Sequence, residues 1–136
     1  GDIPFLKQVF ACMKAFIIDR EDLKQSMQVI VNVIREVRAG RNYLIFAEGT
    51  RSKNGNHPGT FKGGSFKTAT KTKCPIVPVA LIDSFKAFDT GSTEKITVQV
   101  HILPPMYYEE YKDMHTTEIA EEVKRRIEKV IEENTI

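Results

Sequence analysis

The chain has 136 residues, of which 41% are hydrophobic and 28% charged, with a formal net charge of +2. That length suffices for one core, and the balance excludes a disordered or fibrous polypeptide. A net charge of +2 is too small to imply a nucleic-acid partner by itself, and none is expected.

In chain order, Ile3 to Met13 reads as a short apolar helix, with Ile3, Leu6, Phe10 and Met13 at helical spacing. Ala15-Phe16-Ile17-Ile18 is a short apolar run expected to be a buried strand. Asp22 stands as an N-cap with Gln25 in a capping-box position, and Leu23, Met27, Ile30, Val31, Ile34 and Val37 trace one helical stripe. Arg35 and Arg38 fall in its last turn and Gly40 just beyond, as a helix C-terminus requires. Tyr43-Leu44-Ile45-Phe46 predicts a second buried strand.

Residues 47–60 are irregular, and a loop of that length is expected to bind something. A helix is predicted from Gly63 to Lys73, then a strand from Ile76 to Ile82. Pro78 cannot donate to a ladder, so that strand belongs at an edge or is locally irregular. Ile96, Val98, Val100 and Ile102 alternate with Thr97, Gln99 and His101 in a half-buried strand. From Glu118 on, Ile119, Val123, Ile127, Val130 and Ile131 line one face of an amphipathic helix. The alternation predicts an α/β fold, with a mixed, mostly parallel sheet flanked by helices, in a single domain over residues 1–136.

Ligands of open α/β sheets sit beyond the carboxyl ends of the strands. Three features fall there: Arg20, then Glu48-Gly49-Thr50-Arg51-Ser52, then Phe61-Lys62-Gly63-Gly64 at the predicted start of a helix. Guanidinium forks match phosphate oxygens, and free helix amides favour an anion. Gly63 and Gly64 would let a ligand approach the backbone. Each residue also has a plainer reading. Arg20 can be solvated or paired with Asp19 or Glu21, Glu48 and Arg51 can pair across a turn, and Lys62, Lys67, Lys71 and Lys73 can form a wet helix face. Their convergence favours a phosphate site.

Other chemistries find less support. Gly59 to Gly64 has two-glycine spacing, but Ser65-Phe66 stand where a nucleotide P-loop needs lysine and a hydroxyl residue. There is no G-x-S-x-G elbow. His57, His101 and His115 lack metal-ligand spacing, and no metal is expected. Cys12 and Cys74 form neither a disulfide framework nor a metal motif, and both are expected in core packing. No run reaches the ~18 apolar residues of a spanning helix.

Four blocks, in order, resemble the glycerol-phosphate acyltransferase superfamily. Phe16-Ile17-Ile18-Asp19-Arg20 is similar to its F-I-D-R block and Phe46-Ala47-Glu48-Gly49-Thr50-Arg51-Ser52 to F-P-E-G-T-R-S, with Ala47 in place of proline. Phe61-Lys62-Gly63-Gly64 resembles F-K-x-G, and Val77-Pro78-Val79-Ala80-Leu81 resembles V-P-V-x-I. The resemblance implies an acyltransferase-like fold. It further implies transfer of an acyl group from acyl-CoA or acyl-carrier protein to lysophosphatidic acid, giving phosphatidic acid at the cytoplasmic face of a membrane, with no cofactor beyond that co-substrate. Matched by position, it has Arg20, Arg51 and Lys62 grip the acceptor phosphate, while Glu48, Gly49 and Thr50 shape the acceptor site. Val77-Pro78-Val79 would support the acyl-donor side.

The family's H-x-x-x-x-D block is absent, since Lys62, Met106 and Ala120 stand five residues after His57, His101 and His115. In the family that histidine is the general base and the aspartate orients it. The chain opens on Gly-Asp-Ile-Pro, so it is expected to be the C-terminal portion of a longer acyltransferase domain, inactive alone but retaining the acceptor phosphate site. Glycerol 3-phosphate or another lysophospholipid is the alternative acceptor. A noncatalytic phosphate- or phospholipid-binding module is the alternative class. Partners expected are the acceptor, the acyl donor (an acyl-carrier protein among the options) and a membrane surface, reached peripherally or through an upstream anchor. The apolar helix at Ile3 to Met13 would face lipid or acyl chain, or else be core.

Overall fold

A computed structural model describes residues 4–18, 22–89, 91 and 95–135, which divide into two compact units, 1–43 and 44–136. The first holds helices α1 (Pro4–Cys12) and α2 (Leu23–Arg38). The Asp22 side chain caps α2 by accepting from the N–H groups of Lys24 (2.9 Å) and Gln25 (3.0 Å). Gln25 Nε2 donates to Ile17 O (2.8 Å), tying the helix to the segment before it. At the other end Gly40 takes φ +88°, its N–H meets Val37 O (2.9 Å) and the Arg41 N–H meets Glu36 O (3.1 Å). This is the paired closure that a left-handed glycine permits.

The α2 stripe is rotated from the expected one. Val29 and Val33 are its buried apolar residues, whereas Met27 and Val31 are exposed. On α1, Phe5, Leu6, Phe10 and Met13 just beyond it are exposed, and Cys12 is exposed rather than in a core.

In the second unit a 3₁₀ turn (Gly63–Phe66) leads into α3 (Lys67–Thr72). Strand β1 (Val79–Ile82), α4 (Lys86–Asp89), strand β2 (Gln99–Ile102), α5 (Tyr108–Tyr111) and α6 (Thr116–Asn134) follow. Among the described residues the sheet is a two-stranded antiparallel ladder, pairing Val79 with Ile102 and Ile82 with Gln99. The runs at 15–18 and 43–46, expected as buried strands, join no ladder there, and their Ile17, Ile18, Leu44, Ile45 and Phe46 are exposed. Apolar runs mark strands that can be buried, but only a partner's backbone groups make them a sheet.

Pro78 behaves as its chemistry demands. It lies just outside β1, where its carbonyl accepts from Leu103 N–H (3.0 Å). Beyond it Ile76 and Met106 form an isolated antiparallel bridge. Pro78 on one side and Pro104 and Pro105 on the other interrupt the ladder between bridge and strand, because none has an N–H to give.

α6 carries the core. Its Ile119, Ala120, Val123, Ile127 and Ile131 are buried with Ala80 and Ile82 of β1, Phe66, Ala69, Leu103, Met106 and Tyr111. Cys74 packs partly buried against that cluster. The Tyr111 hydroxyl donates to Cys74 O (2.5 Å), and burial pushes its pKa up to about 12, so α5 is fastened to the segment after α3. Paired residues share a sheet face, so Gln99 and His101 lie on the face of Ala80 and Ile82, leaving Leu81, Val100 and Ile102 exposed on the other. The alternation of β2 is as expected, but its apolar side faces outward.

Candidate functional site

Gly49 turns the chain between Glu48 and Thr50. Its N–H donates to Phe46 O (3.0 Å) and its φ is +66°, a conformation that a Cβ disfavours. Lys62 N–H donates to Ala47 O (2.9 Å), returning the end of the loop to its start. The Lys62 stem then lies beside Gly49, where an added Cβ would stand 3.9 Å from Cδ and Cε. The expected neighbours Gly49 and Lys62 are thus brought together.

Glu48 closes the loop a second time. Its Oε2 accepts from Gly59 N–H at 2.7 Å, and a Cβ on residue 59 would sit only 2.9 Å from that oxygen. Glycine at 59 lets amide and carboxylate meet. Inside the loop Ser52 Oγ donates to His57 O (2.8 Å) and accepts from Asn54 N–H (3.2 Å), and His57 N–H donates to Asn54 O (3.1 Å).

The result is a pocket of about 220 Å³ whose lining includes Glu48, Thr50, Arg51, Ser52, Lys53 and His57. Its lining gathers two cations, Arg51 and Lys53, with the Glu48 carboxylate and the hydroxyls of Thr50 and Ser52, a set of groups that suits an anion rich in acceptor oxygens. Ser52 and His57 share this pocket without forming a nucleophile and base, because the hydroxyl bonds the histidine's main-chain oxygen. Among the described residues no group of three His, Cys, Asp or Glu is placed to hold a metal ion.

Of the six residues singled out for substrate binding, Glu48, Thr50 and Arg51 line the pocket, Gly49 makes its turn and Lys62 lies against that turn. Arg20 lies outside the described residues. The expected helix start is different in kind. Residues 63–66 form a 3₁₀ turn and α3 has only six residues. A Cβ on Gly63 would meet Thr116 Oγ1 at 3.1 Å and backbone atoms of Thr116 and Thr117 at 3.2 Å. Gly63 therefore serves the packing of this turn on the start of α6, where a ligand approach had been expected. No such backing lies behind Gly64.

Asn56 and Asp83 escaped the sequence reading, and the structure joins them across 27 residues. Their one signal is type: polar residues that accept left-handed backbone, set in a loop and just after a strand.

A family model described as Acyltransferase matches residues 1–82, the stretch holding the whole loop. Over 134 residues the chain is 30% identical to a 1-acyl-sn-glycerol-3-phosphate acyltransferase of Borreliella burgdorferi, covering 94% of this chain and 53% of that protein. It is 30% identical over 123 residues to the protein of that name from Helicobacter pylori, covering 83% and 52%. It is 33% identical over 108 residues to the chloroplastic 1-acyl-sn-glycerol-3-phosphate acyltransferase BAT2 of Brassica napus, covering 77% and 31%. The chain thus spans about half the length of the two bacterial relatives. No solved structure matches it.

Proposed function

The chain belongs to the acyltransferase family, and from that premise we propose that the whole protein transfers a fatty acyl group from acyl-CoA or acyl-carrier protein to lysophosphatidic acid, giving phosphatidic acid. The observation that carries this reading is the Glu48–Arg51 turn, which lines an anion-suited pocket inside the stretch matched by the family. The names of the relatives supply the acceptor.

In this scheme Arg51, with Lys62 beside the turn, holds the acceptor phosphate, and the resemblance alone adds Arg20. Gly49 and Thr50 shape the wall, and Glu48 keeps the loop closed through Gly59. The acceptor hydroxyl attacks the thioester carbonyl, the C–O bond forms as the C–S bond breaks, and the thiol of the donor leaves. Each charge-assisted contact to phosphate contributes about 1.5–3 kcal/mol, which orients the acceptor but moves no proton. No histidine of this sequence has an aspartate five residues on, so the general base is proposed to come from outside these 136 residues. No cofactor beyond the acyl donor is invoked.

The chain is further proposed to be the C-terminal portion of one acyltransferase domain built on a mostly parallel sheet. The order of the four sequence blocks from Phe16 to Leu81 supports that reading. Attachment at the cytoplasmic face of a membrane, peripheral or through an upstream anchor, is proposed from the family resemblance, and the exposed Phe5, Leu6 and Phe10 of α1 are the apolar groups that would meet lipid. Among the described residues no helix is long and apolar enough to cross a bilayer.

Steady-state kinetics of the whole protein test the assignment with lysophosphatidic acid, glycerol 3-phosphate and an unphosphorylated monoacylglycerol as acceptors. Arg51→Ala is expected to raise KM for lysophosphatidic acid roughly tenfold to a hundredfold, with a smaller effect on the monoacylglycerol. Equal losses with both acceptors would remove Arg51 from the phosphate site. Preference for glycerol 3-phosphate would reassign the acceptor.

A further inference from the structure

We propose that Asn56 and Asp83 are positioning residues of the acceptor site, holding the loop that carries Arg51 and Lys53 against the turn that follows β1. The inference rests on the reading that this loop binds the acceptor phosphate.

Asn56 Nδ2 donates to Asp83 Oδ1 (3.0 Å), and Asp83 N–H donates back to Asn56 Oδ1 (2.7 Å). Both ends of one amide are thus engaged by the backbone and the side chain of a single residue. Asp83 presents both groups from a left-handed backbone, φ +63°, a region that Asp and Asn tolerate better than most residues. Its other oxygen is 2.9 Å from Lys86 Nζ, so the carboxylate is occupied on both sides. That lysine, followed by Asn56, holds the Asp83 carboxyl below the usual carboxylate range.

One residue earlier in the loop, Gly55 (φ +59°) lies beside the Phe85 ring, and a Cβ there would stand 3.6 Å from its edge. The bonds of Glu48, Ser52 and Asn54 shape the loop internally. Asn56 and Gly55 fasten it to the end of β1, whose Ala80 and Ile82 are fully buried in the core. The loop's cations are thereby referenced to a strand whose inward side chains are fully buried. A loop cut from that reference would have to be ordered by the acceptor itself, at the expense of affinity.

The test uses the whole enzyme and compares N56D, D83N and the double variant with Arg51→Ala. N56D keeps an oxygen for the Asp83 N–H but sets a carboxylate against the carboxylate of Asp83. It should raise acceptor KM roughly five- to twentyfold, with kcat and donor KM within about threefold. D83N alone retains an acceptor for the Asn56 amide and should shift KM less. The double variant again opposes an amide to a carboxylate and should bring KM back to within about twofold of the parent.

Should N56D fail to fold, Asn56→Ala removes both bonds without adding charge and carries the same comparison. A fall in melting temperature with acceptor KM unchanged, while Arg51→Ala raises it, would overturn the proposal. So would a double variant no better than N56D. If Arg51→Ala also leaves KM unchanged, the phosphate-site reading fails instead.

Discussion

Gly63 and Gly64 are adjacent and chemically identical, yet the space around them differs completely. A methyl on Gly63 would press on the Thr116 and Thr117 backbone at 3.2 Å, whereas nothing lies within 4 Å of one on Gly64. Gly63→Ala should therefore destabilise the protein by about 1–3 kcal/mol, the usual range for overpacking against backbone. Gly64→Ala should stay within about 0.5 kcal/mol. Urea denaturation of the two variants checks this, and equal stabilities would refute the packing role of Gly63. In the sequence both residues read as room for a ligand, because a neighbour 53 residues away leaves no local trace. Glu48, Thr50 and Arg51, singled out in the sequence, do line one pocket together, because they are near neighbours in a single turn.

The longer helices were legible from periodicity, and α6 shows why, whereas the four-residue α4 and α5 are too short to show a period and were not read. Its buried set Ile119, Val123, Ile127 and Ile131 repeats at helical spacing, and Glu118 closes its start by accepting from His115 N–H (2.5 Å). On its outer side Glu122 takes hydrogen bonds from Arg125 Nε (2.8 Å) and Arg126 Nε (2.7 Å), and Arg126 also reaches Glu110 of α5 (3.4 Å). The guanidinium of Arg125, then that of Arg126, holds the Glu122 carboxyl at about 2, below its ordinary 4.5. A carboxyl depressed on folding stabilises the folded state above its unfolded pKa, and that contribution is lost as the pH falls towards the folded value. Glu122→Gln should thus lower the melting temperature at pH 7 by a few degrees at most, since the group is at the surface. The gap between parent and variant should close between pH 4.5 and 2; a gap constant over that window would show that the pair contributes nothing. Strands were less legible for a physical reason. The run Tyr43-Leu44-Ile45-Phe46 and the alternation of β2 announce β chemistry, but neither says which partner completes a ladder or which face turns inward.

At the scale of the whole molecule, binding and proton transfer are separable, and in the proposed scheme this chain carries the first. The pocket offers cations, a turn and a closed loop, and its hydroxyl–histidine neighbours are bonded through main chain. Orientation by such contacts favours acceptor binding, whereas general-base catalysis contributes typically 10²–10⁴-fold and needs a base within reach of the hydroxyl. The 136-residue chain should therefore show negligible acyl transfer from acyl-CoA to lysophosphatidic acid, measured as release of free thiol. In equilibrium binding it should still hold lysophosphatidic acid better than the unphosphorylated monoacylglycerol, and Arg51→Ala should erase that difference. Robust turnover by the chain would place a base among its own residues, with His57 the first to substitute because it alone of the three histidines lines the pocket. Absence of both turnover and phosphate preference would strike at the pocket itself. The two readouts fail independently, as they must if one set of residues grips the acceptor and another takes its proton.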